Sequence, residues 1–231
     1  MRTISSSQID ALYIFTRQHF VEHYDLQTEL VDHLANDIEQ IWQNHPELSF
    51  EEARDKSFKK FGVFGFMEVV EKRQNAMSKR YNTYLWEEIK IWFGLPKILI
   101  TIALFYLSFL AFSIGNTKMT YIIIYSVLTL WLFYRFVVLR KKYKSRKKKN
   151  NKKWMLEEII FKQAGVSVSI LIGQFPSLLN IIDDYFTSTY FTIGLSIFTT
   201  IIILGCFVTF KLLPDKAETL LKDTYPEYNI C

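Results

Sequence analysis

Two cysteines are all that this chain of 231 residues contains, Cys206 inside an apolar run and Cys231 at the last position. A disulfide framework and a clustered-thiolate metal site are therefore excluded. There is no HExxH pair, no Gly-rich phosphate loop, no nucleophile elbow and no Cys/His pairing at a familiar spacing. The local signatures of metallopeptidases, P-loop enzymes and α/β-hydrolases are thus missing. Nothing alternates at period two, which argues against β structure. The start, Met1 to Gln8, is polar and lacks the apolar core of a signal peptide. Arg2 stands where myristoylation needs glycine, and the final residues are not a prenylation box, so no lipid anchor is expected.

What the chain does have is long apolar runs. Half of its residues are apolar and 16% are aromatic. Four runs predict transmembrane helices over 97–114, 119–139, 164–182 and 190–210. Between the second and third lies a run without an acid, holding Arg140, Lys141, Lys142, Lys144, Arg146, Lys147, Lys148, Lys149, Lys152 and Lys153. Residues 1–94 carry 11 Lys/Arg against 15 Asp/Glu, whereas 95–231 carry 17 against 8. The pI near 9.0 is therefore a topology signal and not a sign of nucleic-acid binding. The outer connections hold one Lys and two Asp, so the positive-inside rule predicts a multi-pass protein with both termini and the basic loop in the cytoplasm. Richness in Ile, Lys, Asn, Tyr and Phe suggests a bacterial source, and hence the inner membrane. Trp86, Trp92, Trp131, Tyr134 and Trp154 are expected at the inner boundary, with Tyr121, Tyr185 and Tyr190 at the outer one. Arg135 is expected to snorkel inward.

The first 94 residues read as helices. Ser7 with Asp10 predicts a cap for a helix over 8–23, and Asp25 a cap for one running to Asn44. Leu26, Leu30, Leu34, Ile38 and Ile41 form its apolar stripe. Pro46 ends it. Ser49-Phe-Glu-Glu52 is a capping box for a third helix that stops at Gly62. A fourth starts near Phe64–Gly65 and continues toward Trp92. The expected fold is all-α: a small cytosolic helical domain followed by a four-helix transmembrane bundle. Its segments are a helical domain with connecting helix (1–94), a first hairpin (95–139), a basic loop (140–163), a second hairpin (164–210) and a tail (211–231) containing a short helix at Asp215–Lys222.

The chemistry-bearing residues are few. His19 and His23 sit one turn apart, and Glu29, His33 and Asp37 form an i, i+4, i+8 row. That spacing suits a divalent metal between two helices or, equally, a solvated helix edge with i, i+4 contacts. Gly165, Ser169, Gly173 and Ser177 form a small-residue stripe for helix packing. Gln174, Pro176 and Asn180 on the same run form a polar site of the kind a transporter uses. No Asp, Glu, Lys or His lies deep in a run, which argues against ion coupling. Asp183-Asp184 has no chemical neighbours, and the basic loop fits anionic lipid headgroups or the acidic domain of the same chain.

Tyr24-Asp-Leu-Gln-Thr-Glu-Leu-Val-Asp-His-Leu-Ala-Asn-Asp-Ile-Glu39, followed by Leu48-Ser-Phe-Glu-Glu-Ala53 and Phe61-Gly62, resembles the HAAS-type helical domain. That module precedes membrane spans in bacterial proteins often encoded beside PadR-type transcriptional regulators. The resemblance covers residues 8–75. It implies membrane-linked signalling or regulation and supplies no catalytic residues. The expected role is therefore a non-enzymatic module that relays membrane state to a cytosolic protein, such as a transcriptional regulator. Its other expected partners are the bilayer, anionic headgroups and a second copy of the chain, with no direct nucleic acid and no cofactor. A small transporter using Gln174, Pro176 and Asn180, or a metal-dependent membrane enzyme, remain the alternatives. Contact between the acidic domain and the loop would be tested by neutralising Lys147–Lys149.

Overall fold

The computed structural model describes residues 2–114, 116–150, 152–185 and 188–229, apart from the side chains at 149, 150, 164, 168, 171 and 174–185. Among the described residues the chain is all-α, without strands, and it divides into two compact units. One comprises 1–79 together with 149–156, and the other comprises 80–148 with 157–231.

The first unit is built from α1 (Ser6–Gln18), α2 (Tyr24–Asn44), α3 (Phe50–Lys59) and the start of α4 (Met67–Ile91). Helix α1 begins earlier than expected because Ser5, not Ser7, is the cap. Ser5 Oγ accepts the Gln8 N–H at 3.4 Å, and Gln8 Oε1 accepts the Ser5 N–H at 3.0 Å. It also ends sooner, at Gln18 and not at residue 23. Phe20 takes a left-handed φ of 66°, while Val21 and Phe20 donate to the Thr16 and Arg17 carbonyls. This is a Schellman stop with Phe at the position where glycine is usual. The expected Ser49–Glu52 capping box is present at α3. Helix α4 starts at Met67, because Gly62 and Gly65 both take positive φ. A Cβ on Gly65 would meet the Phe58 ring at 2.8 Å, so that turn needs glycine. The stripe Leu26, Leu30, Leu34, Ile38 and Ile41 is buried as expected, together with Leu12, Phe15, Phe50 and Phe66.

The second unit holds the rest of α4, then α5 (Ile98–Ile114), α6 (Thr117–Asn150) as far as Lys148, α7 (Met155–Tyr185) from Glu157 on, α8 (Thr189–Phe207) and α9 (Leu213–Thr224). The largest correction to the expected segments falls here. The basic run is no loop: α6 continues through it to Asn150, and α7 opens at Met155. Lys and Arg are good helix formers and no Gly or Pro interrupts 140–150. The end of apolarity at Leu139 is therefore not the end of a helix. Helix packing here centres on α5 against α8, with Phe112, Tyr121, Tyr125 and Leu195 forming a buried cluster. Tyr121, expected in an outer aromatic belt, is fully buried in that cluster.

Among the described residues two helices are long and apolar enough to cross a membrane by length and composition: the α6 segment Thr117–Lys148 and the continuous rod Thr189–Thr224. That is two and not the four expected. Helix α5 is apolar but only 17 residues long, and most of the third predicted span lies outside the described side chains.

A π-helical turn, Val208–Leu212, joins α8 to α9. Pro214 has no N–H to give to the carbonyl four residues back, that of the fully buried Phe210. Arg135 supplies the missing donor, its Nη2 lying 2.7 Å from the Phe210 oxygen. Arg135 thus satisfies a buried backbone carbonyl instead of reaching for water. Replacing it with alanine is expected to cost about 1–3 kcal/mol. The cost should shrink in a Pro214→Ala background, where the amide returns, and thermal unfolding of the four proteins of this double-mutant cycle measures the difference.

Candidate functional site

The start of an α-helix leaves four N–H groups without intrahelical partners. In the first unit two such starts lie against each other. The cap residue of α2 is His23, whose side chain makes no capping bond. The first helical N–H, that of Tyr24, donates instead to the Lys153 carbonyl at 2.7 Å. The opposing helix, α7, begins at Met155, and its first N–H donates to Asp25 Oδ1 at 3.2 Å. Asp25, expected to cap its own helix, thus caps a helix 130 residues further along the chain.

Charge and aromatic packing reinforce this seat. The Asp25 side chain is almost fully buried, and Arg73 of α4 lies 3.7 Å from its second oxygen. Asp25 also offsets the positive end of each helix dipole. Lys153 pairs with Glu22, and the Lys152 ammonium lies 4.0 Å over the Tyr24 ring. Trp154 packs its edge on Tyr24 at 5.4 Å and is 2% exposed. It is therefore a core residue of this unit and not a belt tryptophan. The expected contact between acidic domain and basic run exists, but its carriers are Lys152, Lys153 and Trp154. Lys147 and Lys148 belong to the other unit, and the Lys149 side chain lies outside the described residues.

Other members of the basic run are engaged within the second unit. Arg146 donates to Glu157 at 2.6 Å and to the Tyr228 hydroxyl at 3.0 Å. Lys142 lies 3.6 Å from Asp215. Arg140, Lys141, Lys144, Lys147 and Lys148 make no ion pair with a described carboxylate.

The metal row is taken up by packing and ion pairs. His19 bonds the Phe15 carbonyl at 2.8 Å and packs among Phe15, Phe58 and Phe66. His23 is the α2 cap residue, and His33 lies edge-on to Phe61 at 5.8 Å. Glu29 faces Arg73 at 3.5 Å, and Asp37 accepts from Lys60 at 2.5 Å. No group of three His, Cys, Asp or Glu able to hold a metal occurs among the described residues. Of the small-residue stripe, Gly165 approaches Phe136 so closely that a Cβ would lie 3.0 Å from its ring. Ser169 bonds the Gly165 carbonyl and is exposed, and Gly173 faces open space. The side chains of Gln174, Pro176, Ser177 and Asn180 lie outside the described residues. The periodicities of α2 and α6 gave no sign of the seat, since its two halves are joined only by tertiary contact.

Comparison with protein-family models, with curated proteins and with solved structures finds no match to this chain.

Two outcomes follow. Asp25→Ala removes a buried charge-assisted hydrogen bond and the partner of Arg73, which should weaken the seat by about 1.5–3 kcal/mol. It should expose Lys152 and Lys153 to trypsin and speed exchange at the Met155 amide. The second concerns Asp37. Burial works against its ionisation, but the hydrogen bond and charge of Lys60 hold its carboxyl below the ordinary 3.8. A carboxyl depressed in the fold contributes stability above that ordinary value and loses it as the pH falls through the lower native one. Asp37→Asn should therefore flatten the acid limb of the unfolding curve, as read by circular dichroism.

Proposed function

We propose that the chain is a four-span bacterial inner-membrane protein, both termini cytoplasmic, that acts as a non-enzymatic regulatory module. Parity supports the topology. Residues 149–156 belong to the same compact unit as 1–79, so both lie on one side of any membrane. If α6 crosses, the chain between them must cross an even number of times, which makes α5 a span as well. At 17 residues α5 covers about 26 Å, close to the roughly 30 Å of a hydrocarbon core. The C-terminal half obeys the same parity. Arg146 reaches Tyr228, Lys142 faces Asp215, and Lys216 pairs with Glu88, so the tail shares the polar end of α6. A crossing α8 then requires a crossing α7.

Burial favours membrane over a soluble core. Only 17% of the most apolar window of α6 is buried, where the core helix of a soluble protein would be mostly covered. Ile123, Val127, Leu130 and Phe133 point outward on it. The outward apolar side chains need an apolar solvent.

The observation that carries the regulatory reading is the seat on the first unit. The eight residues 149–156 are bounded on both sides by helices that enter the membrane in this topology, and they end on α2 through one backbone bond, Tyr24 to Lys153, and the bond of the Met155 N–H to the buried Asp25. A change in the spacing of α6 and α7 would pull on that seat, exposing or covering the start of α2. The resemblance of 8–75 to a HAAS-type domain points the same way, toward a cytosolic protein as receiver. Reporter fusions at 116 and 146 should report opposite sides of the membrane. Asp25→Ala should reproduce the cellular phenotype of deleting residues 1–75 while leaving membrane insertion unchanged. A deletion that left every phenotype of the protein intact would sink the relay.

A further inference from the structure

Between α6 and α7, inside the second unit, lies a groove of about 640 Å³ whose two ends differ in chemistry. Its floor is apolar: Phe136 from α6, and Phe161, Gly165 and Val166 from α7. Its upper wall is cationic, with Arg140, Lys144 and Lys147 placed three or four residues apart on one face of α6. The fourth cation, Lys162, is already paired with Glu158, whereas no described carboxylate meets the other three. Tyr143 stacks on Phe161 at 5.6 Å and closes one side. The groove stays open because residue 165 is glycine and residue 169 is serine; larger side chains there would fill it.

We infer that this groove is a binding site for one anionic phospholipid, its phosphate held by Arg140, Lys144 and Lys147 and an acyl chain lying along Phe136 and Gly165. The charge order carries the assignment. Along α6 the lining changes from Phe136 to Arg140 and then to Lys144 and Lys147; along α7 it changes in the opposite chain direction, from Ser169, Val166 and Gly165 to Lys162, with Phe161 beside Lys162 and stacked on Tyr143. Apolar and cationic ends therefore coincide across the two helices, with the apolar end toward the hydrocarbon and the cationic end at the headgroup level. A lipid lying in the bilayer has that same polarity. Three cations without carboxylate partners also match a phosphate, which adds roughly 1 kcal/mol of attraction per base at a membrane surface. An acidic protein segment would use the cations and leave the apolar floor empty, and a free phosphate would do the same. The volume lies within the usual 300–1,000 Å³ or so of small-molecule sites.

The inference rests on the membrane reading above and is tested apart from it. Full-length protein in detergent is titrated with palmitoyl-oleoyl phosphatidylglycerol or with the phosphatidylcholine of the same chains, and bound lipid is counted by native mass spectrometry. Phosphatidylglycerol is expected to bind about tenfold or more tightly, at a stoichiometry of one. The preference should vanish in the triple variant Arg140→Ala, Lys144→Ala, Lys147→Ala. It should persist in Lys141→Ala, Lys148→Ala, which removes two cations of the same helix outside the groove. Gly165→Leu should reduce binding by filling the floor. Ser169→Phe, at an exposed position, should do so as well and guards against a folding defect at residue 165. Equal loss in the Lys141/Lys148 control would overturn the site in favour of diffuse charge. Unchanged binding in Ser169→Phe, or displacement by glycerol 3-phosphate at equal concentration, would overturn the acyl-chain slot and so the lipid. Recovery of the chain in the soluble fraction of cells would instead overturn the membrane reading itself.

Discussion

Two helix starts facing one another, each satisfying the other's first free N–H, are the constraint on which the rest of this molecule turns. A helix start needs acceptors, and here α2 finds one in the Lys153 carbonyl while α7 finds one in Asp25. Neither acceptor comes from the local sequence of the helix it serves. The exchange closes the first unit with a segment more than a hundred residues distant from α2. It also joins residues 1–79 and 149–156 in one compact unit, which is what the proposed parity of crossings rests on. A buried carboxylate is costly unless paired, and Arg73 completes the pairing.

Accounting for backbone groups explains the second unit in the same terms. Pro214 removes a donor near the end of a long apolar rod, the helix widens by a π turn, and Arg135 fills the vacancy at the Phe210 carbonyl. A charged side chain within an apolar helix is thereby put to structural use. It needs no proton-relay or transport role to account for it.

The basic run divides its work. Lys152 and Lys153 hold the seat in the first unit, and Lys142 and Arg146 hold the C-terminal segment in the second. Arg140, Lys144 and Lys147 are left on a groove with an apolar floor. One stretch of sequence, uniform in composition, is thus three sites, and the side chains facing each residue are what separate them. Glu22, Glu157 and Asp215 each meet a cation from this run, although Glu22 and Asp215 come from opposite ends of the chain.

Much of the fold was legible without coordinates, because local periodicity and capping are short-range. The stripe of α2, the Ser49–Glu52 box and the tail helix follow from residues within a few positions of each other, and the stop of α3 was read to within one residue, its cap being Lys60 and its left-handed glycine Gly62. The stop of α1 was not legible, since its left-handed residue is Phe20 and not glycine. Nor was the continuation of α6 to Asn150, because a change from apolar to basic residues does not by itself break a helix. The sequence by itself determined the all-α class, the apolar helices and the sign and place of the charge. Which acid meets which base, that Asp25 caps α7 and not α2, and that Trp154 is core and not belt were decided by tertiary structure alone. Hydrogen bonds and ion pairs act over a few ångströms of space, and distance along the chain carries no information about which groups come that close.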